Sequence, residues 1–371
     1  MELSYLIWTG SPEIFTVTLP VIDKELTLRW YGLFFALGFL ISQQILYFIF
    51  KKEGKPEKDV DTITMYMVIA TIIGARLGHV LFYEPARYLS NPIDILKIWE
   101  GGLASHGAAI AILFALWLYS RKKKEGQGYF QIVDRIVILV ALTGALIRLG
   151  NYFNSEIIGK PTHSKSGIVF ARYPKEIIKS NPIVEDVRFA QVDSAADQEG
   201  RPPINILIDF KRSAGMPHDE LLQRFKAGPY SDLLYNAYIR EHLIVEPSSK
   251  FKFGQDEDGK FYAIVNAYGI PRYPSQLFES ISCLLLFLLL YWLWTKQKAN
   301  LPPGRLLGIF LIYCFGLRFL YEFTKEPQVA FEESMTLNMG QWLSIPLVAA
   351  GIVILILSYR KKEISSTNKL T

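Results

Sequence analysis

Arg148-Leu149-Gly150-Asn151-Tyr152-Phe153-Asn154-Ser155-Glu156-Ile157-Ile158-Gly159 is the stretch whose reading decides the fold. It follows directly on the apolar run 136–147 and packs an arginine, two asparagines and a carboxylate into the end of that run. Charge at the end of a membrane helix is costly unless it has a partner or a task. The placement points to a polar site at the edge of a bilayer.

Composition supports that setting. Half of the 371 residues are hydrophobic and the mean hydropathy is +0.20. The apolar residues cluster into runs approaching the roughly 20 residues that cross a hydrocarbon core of about 30 Å. The expectation is an all-α polytopic membrane protein with transmembrane spans near 30–50, 62–83, 106–119, 132–150, 276–294, 306–323 and 342–359, seven in all. The third is short and borrows residues 101–105. The net charge of +5 does not imply a nucleic-acid partner, because the basic residues sit in alternate short gaps. These are Lys51, Lys52, Lys55 and Lys58; Arg121 to Lys124; Lys296, Lys298 and Arg305; and the tail Arg360, Lys361 and Lys362. The positive-inside rule makes those gaps cytoplasmic, with the N-terminus outside and the C-terminus inside. Trp30, Trp99, Trp292, Trp294 and Trp342 lie near run ends, as interfacial anchors do. The start of the chain lacks the charged and apolar regions of a cleavable signal peptide.

Five segments follow: an extracytoplasmic N-terminal stretch 1–29, helices in 30–150, a polar region 151–275, helices in 276–359, and a cytoplasmic tail 360–371. The polar region is too long for a simple connector. It reads as an α+β extracytoplasmic insert, with strands near 204–210 and 261–266 and a helix near 219–227. Cys283 and Cys314 lie in apolar runs and read as small buried hydrophobes. No Cys-x-x-Cys or His-x-x-x-His spacing suggests a metal.

With that orientation the polar residues of the spans agree. Tyr31, Arg76, His79, His106, Arg148, Asn151, Arg272, Ser275, Gln276, Glu279, Arg318 and Glu322 come from six helices, yet all fall in the outer half. The inner half shows far fewer. Some have ordinary explanations: Arg318 and Glu322, four apart, fit a structural ion pair, and Arg76 could snorkel. Several guanidinium groups at headgroup depth nevertheless suit a phosphate, which they meet with planar paired donors. The residues alone therefore describe an anionic-lipid site facing the outer leaflet, with His106 and the carboxylates available for acid–base chemistry. A lipid transporter would need polar groups through both leaflets. An intramembrane protease would need a Ser/His or Asp pair, and none is convincing.

Six ordered motifs then resemble the phosphatidylglycerol–prolipoprotein diacylglyceryl transferases of bacteria. They are Arg29-Trp30-Tyr31-Gly32-Leu33; Gly74 to Tyr83, with Arg76 and His79; Trp99 to Gly107, ending Ser105-His106-Gly107; the opening stretch Arg148 to Gly159; Arg272-Tyr273-Pro274-Ser275-Gln276-Leu277-Phe278-Glu279; and Gly316 to Pro327, with Arg318 and Glu322. The resemblance covers 28–162 and 272–328. The family has Gly where Ser155 and Ala108 stand here, both small-for-small changes. Residues 164–263 match nothing in the resemblance.

The resemblance implies an enzyme of the bacterial inner membrane. It would move the diacylglyceryl group of phosphatidylglycerol to the lipobox cysteine thiol behind a prolipoprotein signal peptide. A thioether forms and glycerol phosphate leaves, with no cofactor. It implies Arg148 and Arg272 on the phosphate, His106 as a base or orienting group, and Glu156 orienting an arginine or taking the proton. Tyr31, Asn151 and Asn154 would hydrogen-bond the headgroup. Gly159 would permit close backbone approach. Gln276, Arg76, Arg318 and Glu322 would support the substrate site.

Overall fold

A computed structural model describes residues 5–19, 24–98, 101–164, 166–193, 195–211, 216–249, 251–326 and 335–367. Trp99 lies outside them. Strands come first: β1 (Leu6–Trp8), then the antiparallel pair β2 (Glu13–Leu19) and β3 (Lys24–Arg29). Helices follow: α1 (Trp30–Lys52), α2 (Lys58–Phe82), α3 (Pro85–Ser90), α4 (Ser105–Ser120) and α5 (Tyr129–Phe153). The polar region holds β4 (Ile168–Phe170), α6 (Arg172–Lys179), β5 (Val184–Gln191), β6 (Pro203–Phe210) and α7 (His218–Phe225). It continues with α8 (Ser231–Tyr235), α9 (Ala237–Arg240), β7 (Leu243–Ile244), β8 (Phe251–Gln255), β9 (Phe261–Gly269) and β10 (Pro271–Arg272). The chain closes with α10 (Ser275–Gln297), α11 (Arg305–Tyr321) and α12 (Met339–Thr367).

The protein is a mostly helical, polytopic membrane protein. Among the described residues six helices are long and apolar enough to cross a membrane: α1, α2, α5, α10, α11 and α12. The expected third span is the exception, since α4 has 16 residues. Several boundaries move. α5 continues to Phe153, so Asn151 sits inside the helix rather than closing it. α11 ends at Tyr321, and Glu322 begins a 3-10 turn.

The chain divides into two compact units. The first comprises Met1–Leu33, Arg148–Phe278 and Tyr321–Glu333. Its sheet has the order β5-β6-β9-β7, with β8 also on β9 and all pairings antiparallel. Alternation builds its core. Ile204, Ile206, Ile208 and Phe210 face inward from β6, opposite Ala263, Val265 and Ala267 of β9, and meet Leu221, Phe225, Leu233 and Ile239 from the helices. A smaller sheet runs β1-β4-β10. The N-terminal strand therefore belongs to this unit, its Trp8 ring 4.4 Å from that of Tyr152.

The second unit comprises Phe34–Ile147, Glu279–Leu320 and Ser334–Thr371. Its α2 and α4 touch through small residues. A Cβ at Gly74 would stand 2.3 Å from the Ala111 Cβ and 2.6 Å from the Gly107 carbonyl oxygen. One at Gly78 would stand 2.8 Å from the Gly107 Cα. This four-residue spacing lets two backbones meet where lipid supplies no hydrophobic drive.

The basic helix ends of this unit are richer in polar groups than the sequence suggests, and several of those groups bind one another. Arg135 donates to Glu53 through Nε (2.9 Å) and Nη2 (2.7 Å), and Trp294 Nε1 donates to the same carboxylate at 2.8 Å. Trp294 is thus core rather than an interfacial anchor, whereas Trp292 and Trp342 are exposed. Asp134, fully buried, accepts from the Gly304 and Leu307 amides at 2.7 and 2.8 Å, capping the start of α11. A carboxylate there meets both orphan amides and the positive end of the helix dipole.

The close crossing gives a test. Gly74→Ala should destabilise the protein by about 1–3 kcal/mol through overpacking, read as a fall in the thermal midpoint in detergent. Gly32→Ala, where nothing lies within 4 Å of the added Cβ, should not. Equal midpoints for the two variants would contradict the crossing.

Candidate functional site

Glu156 lies at the centre of the polar cluster in the first unit. The last turns of α5 carry Arg148, Asn151 and Tyr152, and the chain then breaks out of the helix. Asn151 Nδ2 donates to Glu156 Oε2 at 3.2 Å, and Asn154 Nδ2 donates to Oε1 at 3.1 Å. Both carboxylate oxygens are therefore held by amides while the residue stays exposed. Gln276 Nε2 donates to the Glu156 carbonyl oxygen at 2.5 Å, and the buried Gln276 Oε1 makes no hydrogen bond. Tyr31 joins the group: its ring would lie 3.1 Å from a Cβ at Gly150, and it feels the charges of both Glu156 and Arg148. Arg148 is half-buried.

The turn that presents Glu156 is strained. Ser155 has φ of +53° and Ile157 +56°. L-residues avoid this left-handed region, and a β-branched residue there is a genuine outlier. Such conformations cost of the order of 1–3 kcal/mol each and persist where surroundings over-determine them. The expected small-for-small replacement of Gly by Ser at 155 is thus not neutral for the backbone.

Gly159 and Arg272 form the frame beneath the turn. A Cβ at Gly159 would stand 2.6 Å from both the Tyr273 carbonyl oxygen and Ser275 Oγ. The close approach this glycine permits is to the chain's own backbone, which its amide meets at Tyr273 O (2.9 Å). Arg272 is 4% exposed. It donates to the Glu241 carbonyl from Nε (3.3 Å) and Nη2 (2.9 Å), and from Nη1 to the Gly159 carbonyl (3.3 Å) and Glu326 Oε1 (2.6 Å). Most of its donors are committed to the frame. Glu322 stands 3.6 Å from Lys325 Nζ.

Beside Arg272 lies His242, which the sequence reading passed over. It is 4% exposed, its Nδ1 has no hydrogen-bond partner, and its ring stacks on Tyr173. Burial, followed by the Arg272 charge, pushes its pKa down to about 4.

Arg76, His79, His106 and Arg318 belong to the second unit. Arg76 is buried and donates to five backbone carbonyls, those of Asp94, Ile95, Lys97, Gly101 and Gly102, with its guanidinium over the Tyr88 ring. It organises the connection between α2 and α4, and its donors are committed there. His106, at the start of α4, lies beside the Phe82 and Tyr83 rings. The structure thus gathers Tyr31, Arg148, Asn151, Asn154, Glu156 and Gln276 into one cluster, with Gly159 and Arg272 as its frame. Among the described residues no group of three or more His, Cys, Asp or Glu could hold a metal ion.

A polytopic membrane protein bearing an arginine–amide–carboxylate cluster is the class that this geometry defines. The family model for prolipoprotein diacylglyceryl transferases matches residues 18–357, and the chain belongs to that family. It is 33% identical to the phosphatidylglycerol–prolipoprotein diacylglyceryl transferase of Tolumonas auensis, over 96% of this chain and 99% of the relative. The enzyme of that name from Chloroherpeton thalassium is also 33% identical, over 98% of each chain. That from Porphyromonas gingivalis is 31% identical, over 95% of this chain and 94% of the relative. Such coverage takes in residues 164–263, so the segment that resembled nothing in the sequence has its counterpart in these relatives.

His242 makes stability pH-dependent. The unfolded histidine takes a proton near pH 6.5, whereas the folded one stays neutral until about pH 4. The unfolded state binds more protons in that window, so stability rises with pH across it and is flat above. The loss on acidification should reach about 3 kcal/mol. His242→Gln should remove most of the fall in thermal midpoint between pH 6.5 and 4.5. An undiminished fall would show that His242 is not its source.

Proposed function

We propose that this protein transfers the diacylglyceryl group of phosphatidylglycerol to the lipobox cysteine thiol of a prolipoprotein. The thiolate sulfur bonds to the glyceryl carbon that carries the phosphate. That carbon–oxygen bond breaks, and glycerol phosphate leaves with the electron pair. Family membership supports the reaction, and the named substrates are those of the relatives. The single observation that carries the residue roles is the Arg148–Glu156 cluster, with its bracketing amides and its neighbour Tyr31.

In this reading Arg148 meets the phosphate and stabilises the charge that grows on the leaving oxygen. Tyr31, Asn151 and Asn154 hydrogen-bond the headgroup. Glu156 orients Arg148 or takes the thiol proton, since thiolate is the nucleophile. Arg272 acts on the phosphate through Gly159 and the turn, whose positions it fixes. His106 is a second candidate for the proton, and Arg318 and Glu322 keep the supporting role that the resemblance implies for them. Seven spans are proposed, because α4 would reach about 24 Å at 1.5 Å per residue. Basic gaps face the cytoplasm, the N-terminus and the polar insert face outward, and the membrane is the bacterial inner one.

Purified protein mixed with phosphatidylglycerol and a lipobox peptide should raise the peptide mass by one diacylglyceryl group. An unchanged mass, under conditions where one of the relatives reacts, would refute the transfer. Arg148→Lys should lose roughly tenfold or more in kcat/KM, because an ammonium cannot supply the paired donors of a guanidinium; full activity would remove the bidentate role. His106→Asn should be nearly inactive if His106 is the base, and a fully active variant would leave Glu156 as the proton acceptor.

A further inference from the structure

The strained turn has a clamp that comes from the part of the chain the sequence could not interpret. Arg172 opens α6, within residues 164–263, and is mostly buried, its side chain 14% exposed. Its Nη1 donates to the Asn154 carbonyl oxygen, the group that immediately precedes Ser155. Its Nε is fixed by Glu176 Oε1 at 2.8 Å, and its guanidinium carbon sits 4.7 Å from the Tyr173 ring centroid. The backbone between β4 and α6 is pinned as well: the Ala171 amide donates to the Trp8 carbonyl at 2.9 Å. The guanidinium is therefore held in place by carboxylate, ring and strand before it reaches Asn154.

The other end of the turn is tied by Gln276 to the Glu156 carbonyl. Between these two ties lie the left-handed residues Ser155 and Ile157. A peptide plane with its carbonyl gripped on one side cannot rotate to relieve them.

We propose that Arg172 is a positioning residue for the transfer reaction. By holding the Asn154 carbonyl it keeps the Asn154–Ile157 turn in its strained form, and so keeps the Asn154 amide and the Glu156 carboxylate aimed as the chemistry needs. The insert then serves the site through this contact as well as through the Glu241 carbonyl that Arg272 binds. The inference rests on the proposed transfer activity for its kinetic readout but not for its structural one.

Two readouts test it on the full-length protein in detergent. Hydrogen exchange of the segment 154–157 should quicken by about tenfold in Arg172→Gln while that of 203–210 stays unchanged, as expected of a local opening rather than global unfolding. The same variant should lose about tenfold in kcat with little change in KM for phosphatidylglycerol, since fewer molecules hold the competent turn. Ser155→Gly placed in that background should recover most of the loss, because glycine adopts positive φ without strain. Arg172→Lys, which keeps the charge and reaches only one of the two partners, should fall between and serves if the glutamine variant does not accumulate. Unchanged exchange at 154–157, uniform quickening across the unit, or failure of Ser155→Gly to restore kcat would each overturn the positioning role. If the unaltered protein yields no adduct, the transfer reading fails and the exchange result still decides the clamp.

Discussion

The site rests on one carboxylate held by two amides. Glu156 leaves the end of α5 on a backbone that no ordinary turn would choose, and the Asn151 and Asn154 side chains hold its oxygens. An exposed carboxylate would normally sample many rotamers, and fixing it costs side-chain entropy. Here the cost is met by hydrogen bonds to a charged acceptor, which are stronger than those between neutral groups. Much of the surrounding frame follows from this need. Gly159 must lack a side chain so that the chain can turn back against Tyr273. Arg272 must be buried so that it can tie Gly159, Glu241 and Glu326 together.

Arginine plays two different parts in this molecule, and spacing in the sequence does not separate them. Arg76 and Arg272 are almost wholly buried and bind backbone carbonyls, so they set the shape of loops. Arg135 is likewise committed to Glu53. Arg148 is only half-buried, in the cluster with Tyr31 and Glu156, and is the guanidinium we propose for the phosphate. A guanidinium whose fork is filled by carbonyls has little left for a phosphate.

Much of this was legible in the sequence. Of the seven spans that the apolar runs marked, six are helices long and apolar enough to cross a membrane among the described residues, because hydrophobic length is a property of composition alone. The unusual spacing of Arg148, Asn151, Asn154 and Glu156 marked the cluster, because polar residues at a helix end in lipid demand explanation. Strands near 204–210 and 261–266 were visible through their β-branched, alternating pattern and are longer in the fold. What escaped was set by tertiary contact. β1 is three residues long and pairs with a strand more than 150 residues away, a partnership no local pattern encodes. Trp294 looked like an interfacial anchor and is instead buried on Glu53. The positive φ of Ser155 and Ile157 left no trace, since neither residue type announces that conformation.

The central proposal is that Arg148, in the cluster with Glu156 and its amides, grips the phosphate of an anionic lipid. Measuring the dissociation constants of phosphatidylglycerol and of diacylglycerol, which lacks the phosphate, for the unaltered protein and for Arg148→Gln tests it most directly. Loss of charge-assisted hydrogen bonds should weaken phosphatidylglycerol by about tenfold or more and leave diacylglycerol unchanged. Equal affinity of both proteins for phosphatidylglycerol would contradict the account.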